Sequence, residues 1–265
     1  MSSIANEKRE DGIRQYFSVL SEEWGAQHWW PAETRFEVIV GAYLTQNTAW
    51  TNVELAMTQL RAAKLLSIEA IRGVRWSRLE RLIRSSGYFR QKAKRLKTFV
   101  RFLDKEYEGC LDKLFAEPTD ILREKLLGLD GVGPETADSI LLYAGNHPVF
   151  VVDAYTRRIL ERHEILPAKT AYDEIRSLFE SALSPLASDH QPLTADPALQ
   201  TGFRVRGAAH PPSAMSTARR TSLVQVYNEM HGLIVGVGKH YCRKSKAACD
   251  ECPLRPFLPA AALPK

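Results

Sequence analysis

Long apolar runs are absent from this chain of 265 residues. Because no stretch of about eighteen consecutive apolar residues occurs, we expect no membrane-spanning helix and no membrane partner. The amino terminus, residues 1–12, is polar and charged, and it lacks the apolar core of a secretory signal peptide. Together these two absences favour a cytoplasmic protein over a membrane or secreted one.

Cysteine is also scarce. The chain has four cysteines, and three of them lie close together near the carboxyl end: Cys242, Cys249 and Cys252. In a reducing compartment such a group indicates metal or cluster ligation more than disulfide bonds. The formal net charge of +5 and the pI near 9.0 favour a polyanionic partner.

The spacing of apolar residues predicts a nearly all-helical protein, so we assign the chain to the all-α class. Residues 147–152 are apolar and β-branched, but a lone strand would have no partner, so we expect a buried extended connector there. Residues 185–220 are rich in Pro, Ser, Thr, Ala and Gly without an apolar period, which predicts a disordered insertion. The predicted helices cover residues 36–60 with a break near 46–48, two short segments within 66–84, then 91–107, 121–127, 135–143, one that begins at residue 154, and a stretch from 223 to the cysteines.

The turn Gly131-Val132-Gly133 lies between two of these predicted helices. A Gly-x-Gly turn that opens a helix exposes backbone N–H groups, and glycine lets a phosphate approach the backbone closely. Such a turn can also do no more than cap a helix. The apolar faces of the flanking helices favour a helix–hairpin–helix, which holds a nucleic-acid backbone through its phosphates.

Asp153 follows the apolar connector and precedes another predicted helix. An aspartate in this position is typical of an N-cap, which stabilises a helix by about 1 kcal/mol. A carboxylate beside a sugar can also stabilise an oxocarbenium-like centre or orient a water molecule. The two roles are compatible, because a capping carboxylate is held in place.

Five segments in this order resemble the endonuclease III superfamily of DNA glycosylases, which is defined by a helix–hairpin–helix, a Gly/Pro-rich loop and an aspartate. The resemblance implies a two-lobed helical fold with the active site in the cleft between the lobes. One lobe would comprise residues 35–145, and the other residues 146–184 and 221–265 together with the segment 1–34. The matching segments are residues 41–48, 87–93, 129–138, 151–155 and 228–231.

The resemblance also assigns roles to single residues. It places Asp153 at the catalytic aspartate and Gln46 at the residue that fills the gap left by a flipped base. Base flipping is required because the glycosidic bond cannot be reached in a stacked duplex. The implied partner is double-stranded DNA with a damaged base, bound by a monomer that would associate with the nucleoid in a bacterium. The candidate DNA-binding residues are Gln46, Asn47, Gly131, Val132, Gly133 and Thr136.

Glu135 departs from endonuclease III, because the bifunctional enzymes carry a lysine at this position. The lysine amine forms a Schiff base with the sugar and permits strand cleavage, whereas a glutamate cannot form that imine. With Asp153 and Glu135 as candidate catalytic residues, we expect a monofunctional DNA glycosylase of base excision repair that leaves the strand uncut. The alternatives are an endonuclease III-type glycosylase and lyase acting on oxidised pyrimidines, and a non-catalytic helix–hairpin–helix DNA-binding protein.

Three tryptophans narrow the class of damaged base that we expect as the substrate. Trp29, Trp30 and Trp50 lie in segments similar to the 3-methyladenine DNA glycosylase III branch of the superfamily, which also has glutamate at the lysine position. Aromatic faces attract a cationic alkylated purine by stacking and by cation–π attraction of roughly 0.5–2 kcal/mol. We therefore expect an alkylated purine such as 3-methyladenine, although tryptophans of this kind also pack protein cores.

The spacing Cys242-x6-Cys249-x2-Cys252 resembles the first three ligands of the endonuclease III [4Fe–4S] cluster, and Leu258 occupies the fourth position. Such clusters normally use four thiolates. Three interpretations stay open: a cluster in a C-terminal loop with an unusual fourth ligand, a site for another metal, or a vestigial site. We expect no organic cofactor.

Overall fold

The computed structural model describes residues 3–188 and 210–259, and in these ranges the protein is helical without strands, which confirms the all-α class. No helix within these ranges has the length and apolar character needed to cross a membrane. The α-helices are α1 Ser3–Trp24, α2 Arg35–Thr45, α3 Trp50–Ala62, α4 Ile68–Gly73, α5 Trp76–Leu82, α6 Phe89–Tyr107, α7 Leu111–Phe115, α8 Thr119–Leu127, α9 Pro134–Ser139, α10 Ala154–Arg162, α11 Tyr172–Leu183 and α12 Ser222–His240.

The chain divides into two compact units. One comprises Ala32–His147, and the other combines Met1–Pro31 with Pro148–Lys265. The hairpin glycines belong to the first unit, whereas Asp153 and the clustered cysteines belong to the second.

The first unit is built around α2. Thr34 caps this helix, because its side chain accepts a hydrogen bond from the Glu37 N–H at 3.1 Å. Every residue from 36 to 44 is buried, so α2 is a core helix rather than a surface one. The apolar face of α6 lies in the same core, where the Tyr43 and Phe99 rings are 6.0 Å apart.

Lys92 terminates α2 from outside the helix. Its ammonium donates hydrogen bonds to the carbonyl oxygens of Leu44, at 2.8 Å, and Ser86, at 2.6 Å. The last carbonyls of a helix have no partner within the helix, and a lysine can supply one. Burial lowers the pKa of this ammonium to about 8, and the positive charge of Arg95 acts in the same direction.

In the second unit, α12 is the buried central helix, and residues 226–238 are all buried. Helix α10 approaches it closely at Gly238, where an added Cβ atom would lie 2.1 Å from Cδ1 of Tyr155. Only a residue without a side chain permits this approach. The close packing holds the amino-terminal turn of α10, which begins beside Asp153, against α12.

The connector before α10 is extended and buried, as the sequence predicts. Residues 149–152 are at most 1% exposed and form no strand. Side chains of the same unit accept hydrogen bonds from its backbone N–H groups. The Phe150 N–H donates to Oε1 of Glu180 at 3.0 Å, and the Val152 N–H donates to the Tyr172 hydroxyl at 3.2 Å. The connector therefore needs no second strand.

The predicted disordered insertion, residues 185–220, is wrong at both of its ends. Ser184–Ser188 forms a 3₁₀ helix, and Met215 and Ser216 are buried. Hydroxyl groups order the second end, since the Ser213 N–H donates to Oγ of Ser216 at 2.8 Å. Composition cannot reveal such local side-chain hydrogen bonds. Residues 189–209 lie outside the described residues.

Candidate active site

The helix–hairpin–helix predicted from the Gly131-Val132-Gly133 turn is confirmed. The Val132 N–H donates to the Leu129 carbonyl at 3.0 Å, which closes a turn after α8. Gly131 has a φ of +76°, a left-handed conformation that favours glycine. Val132 is buried, and Gly133 is the N-cap of α9 with Pro134 in the first helical turn.

Gln46 lies against this hairpin. Its Nε2 atom donates to the Gly131 carbonyl at 2.9 Å and to Oγ1 of Thr136 at 2.9 Å. The structure thus brings together three of the residues predicted to bind DNA. Thr136 is only 7% exposed, and its hydroxyl oxygen accepts the hydrogen bond from Gln46. Asn47, by contrast, is exposed and has a φ of +50°.

Arg95 completes the network, and sequence analysis gave it no specific role. Its Nη1 atom donates to Oε1 of Gln46 at 2.6 Å. Its guanidinium also packs against the turn, since a Cβ atom added to Gly131 would lie 1.9 Å from the Arg95 Nε. A positive charge is therefore held beneath the predicted phosphate-binding turn. The only sequence signal was the basic run of residues 90–97.

Glu135 lies in the first turn of α9 and is exposed. A carboxylate near a helix amino terminus is stabilised by the helix dipole. The side chain at the position of the bifunctional lysine is thus accessible to a ligand of the hairpin. Its role as a catalytic residue stays a prediction.

Asp153 is the N-cap of α10, as the sequence predicts. Its Oδ1 atom accepts hydrogen bonds from the Thr156 N–H at 2.7 Å and from the Thr156 hydroxyl at 2.9 Å. The other oxygen, Oδ2, lies 3.7 Å from Nε2 of His231 on α12. One oxygen therefore fixes the carboxylate, and the other is outside the cap.

His231 is a site residue to which sequence analysis gave no role. The side chain is 5% exposed. Burial lowers the pKa of its imidazole, while the charge of Asp153 acts in the opposite direction. The rings of Phe150 and Trp29 pack nearby, with centroids 6.3 and 6.4 Å from that of His231. The sequence signal that could have identified this residue is a histidine among the apolar residues of α12.

The predicted pocket tryptophans separate into two groups. Trp29 and Trp30 are buried in the unit that contains Asp153, and their ring centroids are 5.4 Å apart. Trp29 also lies 5.4 Å from the His210 ring. Trp50 belongs to the other unit, begins α3 and donates from Nε1 to Oε1 of Glu54 at 2.8 Å. Trp29 is linked to Asp153 through the His231 ring, whose centroid is 6.4 Å from that of Trp29.

The three clustered cysteines line one small cavity, and Leu258, at the predicted fourth ligand position, lines it too. The pKa of the Cys252 thiol is raised to about 11, mainly by burial and also by the nearby thiols of Cys242 and Cys249, against a backbone hydrogen bond at Leu254 that lowers it. Three converging sulfurs fit the donor set of an iron–sulfur cluster, and a bound cation would stabilise the thiolates. His163 also lines the cavity, but its Nδ1 is 2.7 Å from the Tyr16 hydroxyl.

This arrangement does not resemble a site for a single metal ion. Within residues 3–188 and 210–259, no three His, Cys, Asp or Glu side chains are placed to ligate one ion together. A four-iron cluster makes a different demand, because each thiolate binds a different iron atom. The three cysteines that line the cavity match three of the four thiolates that such a cluster normally uses.

Helix α10 holds the backbone of the cysteine loop. Nε of Arg158 donates to the Cys242 carbonyl at 2.6 Å, and Nη1 of Arg162 donates to the Arg243 carbonyl at 2.9 Å. Nη1 of Arg162 also lies 3.3 Å from Sγ of Cys242. The helix that begins at Asp153 thus ends on the cysteine loop.

Replacing Gly131 with alanine tests the hairpin. We expect Gly131→Ala to destabilise the protein by about 1–3 kcal/mol, because a left-handed φ is costly for alanine and the new Cβ displaces Arg95. Duplex affinity should fall as well. The measurements are thermal unfolding and fluorescence anisotropy with an undamaged duplex.

Gly133→Ala is the matched control, since its Cβ meets nothing within 4 Å. It should keep its stability to within about 1 kcal/mol while weakening DNA binding, if a phosphate approaches this backbone. Equal unfolding temperatures for the two variants would contradict the account of Gly131.

Comparison with known proteins identifies the family of the chain. A family model described as the HhH-GPD superfamily base excision DNA repair protein matches residues 40–185. A protein of Methanocaldococcus jannaschii, provisionally named as a DNA repair glycosylase, is 40% identical over 253 residues, which cover 95% of this chain and 97% of that protein.

Two solved structures are also similar. The 3-methyladenine DNA glycosylase of H. pylori, bound to 1,N6-ethenoadenine, has a TM-score of 0.67 and 27% identity, covering 87% of this chain and 97% of its own. A trapped endonuclease III–DNA covalent intermediate has a TM-score of 0.66 and 19% identity, over 94% and 95% of the two chains, and shows a shared fold. The chain therefore belongs to the HhH-GPD superfamily of base excision DNA repair proteins, and it is a DNA glycosylase with DNA as its partner.

Proposed function

We propose that this glycosylase is monofunctional and that it hydrolyses the N-glycosidic bond of an alkylated purine such as 3-methyladenine. The observation that carries the proposal is the divided role of Asp153, whose Oδ1 caps α10 while Oδ2 is outside the cap. A fixed carboxylate can stabilise positive charge on the sugar without having to reorganise during the reaction. We further propose that the enzyme acts as a monomer in the cytoplasm, at the nucleoid if its source is bacterial.

The proposed reaction begins with a base flipped out of the duplex, because C1′ is otherwise inaccessible. The C1′–N bond breaks, and its electron pair leaves with the base. For an N3-alkylated purine, which is cationic in the nucleotide, the departing base is neutral and needs no proton. Oδ2 of Asp153 stabilises the oxocarbenium-like sugar, water adds to C1′, and the proton of that water is released.

Two observations support hydrolysis without strand cleavage. Glu135 stands where the resemblance places the bifunctional lysine, and a carboxylate cannot form an imine. Lys92 has a lowered pKa, but it is 1% exposed and its ammonium is bonded to two carbonyl oxygens. A buried, bonded amine of this kind is a poor substitute nucleophile.

We base the preference for an alkylated purine on the aromatic side chains in the unit of Asp153. Trp29 and Trp30 lie in the same unit as Asp153, and cation–π attraction favours a positively charged base. The similarity to the H. pylori 3-methyladenine glycosylase points in the same direction. A bifunctional enzyme acting on oxidised pyrimidines is the second candidate, because the fold is shared with endonuclease III.

Excision by the purified protein from a panel of duplexes tests the proposal. The panel should contain alkylated purines, oxidised pyrimidines and deaminated bases, each assayed with and without alkali and with borohydride. We expect release of the alkylated purine, strand breaks only after alkali, and no borohydride-trapped adduct, because no lysine stands at position 135.

A trapped protein–DNA adduct with the wild-type protein would contradict the monofunctional proposal. If the protein excised only oxidised pyrimidines, the proposed substrate would be wrong and the second candidate would take its place. A protein that binds every duplex and excises no base would favour the non-catalytic alternative.

We also propose that Cys242, Cys249 and Cys252 hold a [4Fe–4S] cluster whose fourth ligand is not a cysteine. When bound, the cluster supplies a rigid cross-link among the three cysteines. The chain's own contribution is to place Arg243, Lys244 and Lys246, between the first two cysteines, where they can contact phosphates. The contacts from Arg158 and Arg162 would then join this loop to α10.

Iron content and absorbance test this site. We expect anaerobically purified protein to show a broad band near 400 nm and about four iron atoms per chain. Cys249→Ser should lose both, whereas Cys110→Ser should keep both, because Cys110 belongs to the other unit. Wild-type protein that contains no iron even after anaerobic reconstitution would contradict the proposal.

A further inference from the structure

The two carboxylate oxygens of Asp153 have different surroundings. Oδ1 accepts two hydrogen bonds from Thr156, at 2.7 and 2.9 Å. Oδ2 faces Nε2 of His231 at 3.7 Å, and the two side chains are 12% and 5% exposed. At this distance and burial, solvent screens the interaction weakly, so the protonation state of His231 acts strongly on Oδ2.

Among the residues that the structure describes, Asp153 carries the charge that acts on the pKa of His231, and aromatic rings pack against the same imidazole. From the connector, Phe150 presents an aromatic edge, with the ring planes at 75°. From the amino-terminal segment, Trp29 presents another ring, which His210 contacts in turn. On α12 itself, Oε1 of Glu229 accepts a hydrogen bond from Gln225 at 2.7 Å.

We propose that His231 is a positioning residue for Asp153: the neutral imidazole packs beside Oδ2 and leaves the charge of that oxygen available to the sugar, whereas the protonated imidazole pairs with Oδ2 and withdraws that charge. The proposal rests on the proposed function, because it assigns His231 to the same reaction. His231 acts through Asp153, so no contact between His231 and the DNA is required.

The direction of the pH effect follows from the surroundings. Burial is the main influence and lowers the pKa of His231 from 6.5, so the imidazole is neutral at pH 7. Activity should therefore be full at neutral pH and fall in the acidic range, as His231 gains its proton. Removing the carboxylate removes the influence that raises this pKa, so the pKa should fall further in Asp153→Asn.

The first experiment needs no DNA. The histidine ring nitrogens are labelled with ¹⁵N, their shifts are followed against pH, and the His231 signal is assigned by its loss in His231→Gln. We expect a midpoint below 6.5 that moves lower in Asp153→Asn, while asparagine still caps α10. A His231 midpoint that is the same in both proteins overturns the proposal, as does a His231 that shows no titration before the protein unfolds in acid.

The second experiment measures single-turnover excision against pH on the best substrate. The wild-type rate should fall in acid with the midpoint found for His231. Glutamine can occupy the same place but cannot become charged, so His231→Gln should keep its neutral rate to within a few-fold and lose that acid limb. His231→Phe, which has no nitrogen, should be slower at every pH by about tenfold, which corresponds to about 1.4 kcal/mol.

His210→Gln is the matched control, since His210 also contacts Trp29, and it should keep the acid limb. An acid limb retained in His231→Gln overturns the proposal. If the wild-type protein excises no base, the proposed function fails, and the ¹⁵N titration still decides whether His231 and Asp153 are coupled. The two failures are therefore distinguishable.

Discussion

The N-cap of α10 is the constraint on which the rest of the site depends. One carboxylate meets two needs there, because Oδ1 of Asp153 satisfies backbone and side-chain donors of Thr156 while Oδ2 lies beyond them. Two hydrogen bonds to the one oxygen Oδ1 favour a single rotamer of Asp153, so the remaining oxygen has a defined position. A charge placed before the substrate arrives is what electrostatic catalysis requires. The first turn of α10 therefore also positions the oxygen proposed for catalysis.

Both units hold their candidate residues by contacts between distant parts of the chain. In one, α10 joins Asp153 at its start to the cysteine loop at its end, through Arg158 and Arg162. In the other, Gln46 bridges the hairpin and Arg95. If Gln46 fills the space of a flipped base, it must first give up these hydrogen bonds, and contact with DNA has to replace them.

Features of the site that depend on a few neighbouring residues are predictable from the sequence. The cap at Asp153 and the turn at Gly131 each depend on a few neighbouring residues, and both were predictable. The proximity of His231 to Asp153 and of Gln46 to the hairpin depends on contacts between residues almost eighty or more positions apart, which one sequence does not display. Helix α1 was overlooked because its start is polar, although its buried residues recur at helical spacing: Ile13, Tyr16, Phe17, Leu20 and Trp24.

The central claim is that the charge of Asp153, separate from its capping role, drives base excision. Asp153→Asn separates the two, because asparagine caps a helix as well as aspartate but carries no charge. The decisive measurement is the single-turnover excision rate of this variant on the best substrate, taken together with its unfolding temperature. We predict a rate at least about 100-fold below that of the wild type at an unchanged unfolding temperature. Excision at the wild-type rate by this variant would contradict the account.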